Sequence, residues 1–310
     1  MIYLDGTKFF FDIEGCFSNL CEKAREENKN LKPDKNAEEL CEGFAKFFRT
    51  KPEFVKAGKD YKTVFRGIFG EKIKAVIPEF DISAENFKSA FGFEPVSAKK
   101  SPDMKIKAEA LAKLADENGA EAVFISNPCC PTSLDISPEE IKKLCSMTAA
   151  KVVVDESFCV DESVSVLKFV PETENLIVLK KMRFGGEPVF ACGKNLPEFD
   201  CEISSSEQAA GRVIFEHDSA LKTAQRKLID SRDSLYIRIK KLAIKYDALE
   251  RLYRSKANCV FFKVKDAEER AEKLTNMGIS VSCKNGYFCV FAGEKDENEA
   301  VLKALEEVLK

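Results

Sequence analysis

Twelve cysteines and one histidine are the residues whose spacing first limits the chemistry this chain can support. No Cys-x-x-Cys pair occurs, and the lone histidine, His217, excludes the usual mixed Cys/His zinc sites. A Ser-His or Cys-His nucleophile would also need His217. This residue lies in a charged, helix-like stretch, IFEHDSALK, where we expect a solvated surface position. The sequence therefore predicts no metal site and no histidine-activated nucleophile.

Other chemically useful side chains lie where short apolar runs end. Asp155 follows the run VVV, and Lys180 and Lys181 follow the run LIVL. These runs, together with AVFIS at 122–126, are rich in Val, Ile and Leu and do not alternate, which is typical of a parallel sheet covered on both faces. Helix-like segments separate them. We therefore predict an α/β fold, a three-layer large domain with a mainly parallel sheet.

A change of pattern after residue 215 indicates a second, smaller domain. The segment 219–254 predicts a long amphipathic helix, and the strands and helices after it predict a compact α+β unit. Asn285-Gly286, between two apolar segments, predicts a tight hairpin. We divide the chain into a short N-terminal segment (1–35), a large α/β domain (36–215) and a small α+β C-terminal domain (216–310).

Composition limits the classes of partner. The 310 residues include 49 basic and 52 acidic side chains, and the formal net charge of −3 gives no attraction to nucleic acid or anionic lipid. No apolar run approaches the roughly 20 residues that span a membrane. The N-terminus, MIYLDGTKFFF, lacks the features of a signal peptide. We therefore expect a cytoplasmic protein with reduced thiols, no disulfides, and neither a nucleic-acid nor a membrane partner.

Four segments, in this order, resemble fold type I enzymes that depend on pyridoxal phosphate (PLP). The most similar branch is that of histidinol-phosphate aminotransferase and threonine-phosphate decarboxylase. The segments are the loop NPCCPTS (127–133), the strand VVVDESF (152–158), the helix start SSEQAA (205–210) and the strand SKANCVFF (255–262). The resemblance implies a PLP-transferase-like fold, aminotransferase-like chemistry and a homodimer.

The resemblance also assigns roles by position. Asp155 matches the acid that partners the pyridine nitrogen, and Asn127 belongs to the framework of the Asn-Pro loop. Cys130 and Phe158 stand where the family has an asparagine and a tyrosine that donate to the ring hydroxyl. A thiol is a poor donor and a phenyl ring is none. These two matches imply a weakened hold on the cofactor ring.

Two further positions concern the phosphate and the face of the ring. The phosphate-binding turn of the family matches AGKD at 57–60. Lys59 can attract a phosphate as a point charge, but Asp60 repels it. The stacking aromatic of the family matches Ile82, with Phe80 nearby.

The lysine that binds the cofactor has no direct match. Aligned on the preceding strand its position is Phe184, and aligned on the following segment it is Arg183, which cannot form the imine. Lys181 or Lys180 is a possible displaced replacement. Because neighbouring side chains of a strand point to opposite faces, at most one of them faces the pocket. The arginine that binds the substrate carboxylate matches Cys289.

Three hypotheses follow. The first is a pseudoenzyme, or a pocket for another small anionic or amino-acid-like ligand held by Lys59, Lys181 and Arg183. The second is an active PLP-dependent aminotransferase or decarboxylase that uses Lys181 or Lys180 and acts on an amino acid or on a phosphorylated amino acid or alcohol. The third is a non-enzymatic dimer partner. If the chain binds a cofactor, the resemblance implies PLP.

Overall fold

The computed structural model describes residues 1–4, 16–35, 37–181 and 188–310. Within these residues the strands form a seven-stranded and a five-stranded sheet. The strands are β1 (Ile2–Leu4), β2 (Val55–Gly58), β3 (Ala75–Pro78), β4 (Val96–Ala98), β5 (Ala122–Ser126), β6 (Lys151–Asp155), β7 (Leu176–Lys181), β8 (Val189–Gly193), β9 (Leu249–Leu252), β10 (Cys259–Val264), β11 (Ile279–Lys284) and β12 (Tyr287–Phe291). The helices are α1 (Cys16–Asn28), α2 (Glu38–Phe48), α3 (Tyr61–Phe69), α4 (Ser83–Phe91), α5 (Ala108–Asn118), α6 (Pro138–Met147), α7 (Ser205–Glu216), α8 (Asp218–Lys245), α9 (Ala267–Asn276) and α10 (Lys295–Leu309).

The larger sheet has the strand order β2-β8-β7-β6-β5-β3-β4. The pairs from β4 to β7 are parallel, whereas β8 is antiparallel to both β7 and β2. The predicted α/β fold class with a mainly parallel sheet is therefore confirmed. The register places Asp155 beside Ser126 on one side and beside Leu179 on the other. The residues that follow these strands consequently meet at one edge of the sheet.

The smaller sheet has the order β1-β11-β12-β10-β9. Asn285 and Gly286, at φ 53° and 81°, form the predicted hairpin turn between β11 and β12. The prediction of one helix over 219–254 is wrong at its C-terminal end. The helix α8 stops at Lys245, and the chain continues into β9. Leu249 fits the helical spacing but is buried by pairing with β10. The N-terminal strand β1 also joins this sheet, by pairing with β11. The domain boundaries at 35 and 215 stay a prediction.

The core of the larger unit explains why its strands do not alternate. Every residue of β5 and of β8 is buried, as expected for strands covered on both faces. The ring of Phe190 in β8 stacks on Phe44 of α2, with centroids 4.3 Å apart. Among the described helices, none has both the length and the apolar character needed to cross a bilayer.

Replacing Phe190 by alanine tests this packing. Phe190 is 1% exposed, so Phe190→Ala should lower the free energy of unfolding by about 3–5 kcal/mol through lost burial and a residual cavity. Chemical denaturation followed by circular dichroism measures the change. Ile244, 80% exposed, provides the control, and Ile244→Ala should change stability by less than about 0.5 kcal/mol. Equal effects from the two variants would contradict the assigned core.

Candidate functional site

Asp155, at the carboxyl end of β6, is 3% exposed and is held by its neighbours. The hydroxyl of Tyr61 donates to its Oδ2 at 2.8 Å, and the Ser157 N–H donates to its Oδ1 at 2.9 Å. The Tyr61 hydroxyl also lies 2.7 Å from Ser157 Oγ. Both carboxylate oxygens therefore accept hydrogen bonds from within the chain.

The helix α3 begins directly after Asp60, and its N-terminus lies beside the hydrogen bonds between Asp155, Tyr61 and Ser157. Asp60 is the N-cap, and its carboxylate accepts a hydrogen bond from the Thr63 N–H at 2.7 Å. A Cβ placed on Gly58 would lie 2.5 Å from the Val64 side chain, so the preceding turn packs closely against the first turn of the helix. Lys59, between them, is exposed. A negative charge of the chain itself thus occupies the positive end of this helix.

Lys180 lies in a buried ion pair. Its Nζ is 3.0 Å from the fully buried carboxylate of Glu156 and 3.1 Å from half-exposed Glu162. It also lies 4.4 Å from the centroid of the Phe48 ring. Burial alone would lower the pKa of Lys180, but the charges of Glu156 and Glu162 outweigh burial and raise it above its ordinary value. Sequence reasoning named Lys180 as a possible cofactor lysine and missed this pairing.

Glu156 links the end of β6 to a later segment. Its Oε1 accepts a hydrogen bond from the Val166 N–H at 2.6 Å, and its Oε2 accepts one from the Ser165 hydroxyl at 2.6 Å. These two bonds and the Lys180 contact satisfy a carboxylate that would be costly to bury alone. The Glu156 carboxylate therefore has a structural role.

Lys181 takes the opposite face of β7 from Lys180, as the alternation of a strand requires. Its Nζ lies 5.9 Å from the centroid of the Tyr61 ring, and the Tyr61 hydroxyl binds Asp155. Of the two candidate lysines, Lys181 is thus the one placed on the Asp155 side of the sheet.

Asn127 maintains the shape of the Asn-Pro loop. Its Oδ1 accepts a hydrogen bond from the Ile136 N–H at 2.9 Å, and its Nδ2 donates to the carbonyls of Ile136 and Val164 at 3.2 and 3.3 Å. The side chain is fully buried. The structure thus shows three internal hydrogen bonds that give Asn127 a framework role.

Cys130 and Phe158 lie in an apolar cluster that also contains Cys259 and Cys289 of the smaller sheet. A hydrogen bond that the Cys289 thiol donates to Cys259, together with burial, holds the pKa of the Cys289 thiol well above its usual range, so it carries no charge. Cys289, at 2% exposure, is closed to a substrate carboxylate. Ile82, Cys130 and Phe158 border a cavity of about 600 Å³, and Asp155 does not line it.

The candidate residues therefore fall into separate groups. Asp155 and Lys181 share one face of the sheet, Lys180 lies on the other, and Cys130 and Phe158 border the cavity. Arg183 lies outside the described residues. The described part of the chain contains no cluster of three or more His, Cys, Asp or Glu side chains placed to hold a metal.

Sequence reasoning missed two residues of this site. Tyr61 could have been found because it follows the turn at 57–60 directly and opens α3. Glu156 could have been found from its position next to Asp155 at the end of a strand, although its side chain points to the opposite face of the sheet. For neither residue does the sequence position alone identify the side chain that it contacts.

The chain is similar to known aminotransferases. A family model for class I and II aminotransferases matches residues 24–179. A histidinol-phosphate aminotransferase of Clostridium kluyveri is 26% identical, covering 100% of this chain and 93% of that protein.

Solved structures share the fold. The histidinol-phosphate aminotransferase of Clostridium acetobutylicum superposes with a TM-score of 0.84 at 15% identity, over 99% of both chains. The one from Sinorhizobium meliloti, in complex with pyridoxal-5'-phosphate, superposes with a TM-score of 0.80 at 16% identity, over 99% of this chain and 90% of that one.

Glu156→Gln tests whether Lys180 is committed to an ion pair. Leaving Lys180 buried without its main partner should lower the free energy of unfolding by about 3–5 kcal/mol. Adding Lys180→Met should return part of that loss, because the unpaired charge is then removed. Chemical denaturation of the single and double variants measures this coupling.

Glu172→Gln provides the control for this cycle. Glu172 pairs with Lys142 on the surface, so the change should stay within about 0.5 kcal/mol. A double variant that loses the sum of both single effects would contradict a direct Glu156–Lys180 interaction.

Proposed function

The chain belongs to the family of class I and II aminotransferases, and we propose that it is a pseudoenzyme that binds a small ligand without a lysine-bound PLP. The predicted resemblance to fold type I PLP-dependent enzymes is confirmed by the family match. The observation that carries the proposal is Asp60 at the N-terminus of α3, where the family turn would place the cofactor phosphate.

The residues at this turn do not fit a phosphate. The Asp60 carboxylate already accepts the Thr63 N–H, and it would stand beside the phosphate in a position that repels it. The close packing of Gly58 on Val64 leaves little space at the turn. Exposed Lys59 adds one cation, which does not replace a nest of backbone donors.

The residues around the ring position do not fit PLP either. The Asp155 carboxylate accepts hydrogen bonds from Tyr61 and Ser157 and is only 3% exposed, so a pyridine nitrogen would have to compete for its remaining lone pairs. Phe158 offers no donor, and Cys130 offers only a weak one. We therefore assign no chemical step to a cofactor in this chain.

The two candidate lysines differ in what they can do. Lys180 stays charged in its ion pair, and a protonated amine is not a nucleophile. Lys181 supports the second hypothesis, an active enzyme with a displaced lysine, because it lies on the Asp155 side of the sheet. Its position over Tyr61 is the specific observation in favour of that alternative.

The third hypothesis concerns assembly. We propose that the chain forms a homodimer, on the strength of its family resemblance. A role as a non-enzymatic partner of an active aminotransferase remains the competing proposal. Size-exclusion chromatography with light scattering separates these two proposals. A homodimer predicts that the pure chain elutes as a dimer. A non-enzymatic partner predicts a monomer that pairs only with the active homologue.

An absorbance titration with PLP tests the pseudoenzyme proposal. We expect no imine band from the purified chain, and an unchanged spectrum for Lys181→Ala. Borohydride reduction followed by mass spectrometry provides a second readout. A band that the chain forms and that Lys181→Ala abolishes would establish the displaced lysine instead.

Asp60→Ser tests the role of the charge at α3. Serine keeps an N-cap and removes the repulsion, so the affinity for inorganic phosphate should rise by about tenfold. Phosphorus NMR line broadening of phosphate measures the binding. Asp116→Ser, at an exposed position elsewhere, is the control and should bind phosphate no better than the parent chain. An equal affinity for phosphate in Asp60→Ser and in the parent chain would contradict the proposed repulsion of phosphate by Asp60.

A further inference from the structure

Ser133, in the loop that follows β5, has a backbone conformation that is unusual for a serine. Its φ is 61°, in the left-handed region that favours glycine, and the residue is fully buried. A strained residue of this kind persists when its surroundings hold it in place. The contacts of its hydroxyl group are therefore the interactions that can keep the loop in this conformation.

The hydroxyl of Ser133 binds the segment that leads into β10 of the smaller sheet. Its Oγ accepts the Ala257 N–H at 3.2 Å and donates to the carbonyl oxygen of Cys259 at 3.0 Å. The Ser255 hydroxyl, which lies beside Ser133 Oγ, donates to the same carbonyl. The backbone carbonyl of Ser133 accepts the Lys256 N–H at 2.8 Å. One residue beside the larger sheet thus holds the whole turn that precedes β10.

The bonds of the Ser133 hydroxyl lie inside the contact between the two sheets. The three residues that this hydroxyl contacts are at most 8% exposed. Because water is excluded there, breaking the bonds would leave polar groups without partners. Ion pairs across the same contact are more exposed: Lys284 pairs with Glu85 and Lys256 with Asp161, each at 3.5 Å. Such exposed pairs contribute little, so the buried hydroxyl is the stronger restraint.

Buried thiols on the two sides of this restraint report on it separately. Cys259 and Cys289, at 1% and 2% exposure, lie in the apolar cluster that joins the two sheets. Cys192, which is fully buried, lies in β8 within the core of the larger sheet. Separation of the sheets would expose Cys259 and Cys289 and leave Cys192 covered. Unfolding of the larger sheet would expose Cys192.

We propose that Ser133 is a clamp that locks the two sheets in one fixed arrangement and keeps the thiols between them covered. Loss of its hydroxyl contacts releases the smaller sheet without unfolding the larger one. Because the cavity of about 600 Å³ is lined from both sides, by Pro131 and by Phe291, the clamp also sets the width of that cavity. The clamp is formed by the chain alone, so it acts whether or not PLP binds, and its test is independent of the proposed function.

Alkylation of the native protein by iodoacetamide, followed by mass spectrometry of each cysteine, tests the clamp. Ser133→Gly removes the hydroxyl and suits the φ of 61°, so the variant should fold. We expect Cys259 and Cys289 to be labelled about tenfold faster than in the parent chain, and Cys192 at the parent rate. Unchanged labelling of Cys259 and Cys289, or an equal rise at Cys192, would overturn the proposal.

Three further variants separate the hydroxyl contact from other effects. Ser255→Ala removes the neighbouring hydroxyl and should speed the labelling of the two interface thiols about threefold. Lys284→Met removes an exposed ion pair across the contact, and Ser146→Ala removes a surface hydroxyl that bonds within its own helix. Both controls should be labelled at the parent rate. A control that matches Ser133→Gly, or a Ser255→Ala variant that matches the parent, would overturn the assignment of the clamp.

Discussion

The buried ion pair between Glu156 and Lys180 is the constraint on which this edge of the sheet depends. Charges taken out of water are tolerated when they meet a partner and have their remaining hydrogen bonds satisfied. Here Lys180 belongs to β7 and Glu156 directly follows the neighbouring parallel strand β6, so both side chains lie on the same face of the sheet. Because adjacent residues of a strand face opposite ways, Asp155 and Lys181 must then share the other face. The position of Lys181 over the ring of Tyr61, which binds Asp155, agrees with that assignment.

Glu156 also anchors the segment that contains Phe158, which borders the cavity. Glu156 holds the segment at 165–166 by two short hydrogen bonds, so the chain between these points forms a fixed loop. Phe158 lies inside that loop and is buried in the cluster that joins the sheets. The hydrogen bonds of Glu156 thereby restrict the position of an aromatic side chain that borders the cavity.

Local sequence predicted the elements well where one pattern acts alone. The strand ends at Ser126, Asp155 and Lys181 follow from apolar runs that stop at polar residues. The end of α8 was missed because Leu249 suits a helix face as well as a strand, and pairing with β10 decides between them. The partner of Lys180 was also missed, since Glu156 and Glu162 come close only after the strands align. The lining of the cavity likewise comes from segments that only the fold brings together.

Carboxylates at the edge of a sheet need hydrogen-bond donors, and this constraint explains the surroundings of the two acidic residues at the Asp155 side. A carboxylate taken out of water without a partner costs free energy, so the chain supplies donors itself. Tyr61 and Ser157 supply them to Asp155, and the Thr63 N–H supplies one to Asp60. These hydrogen bonds hold the polar edge of the sheet in place from within the chain.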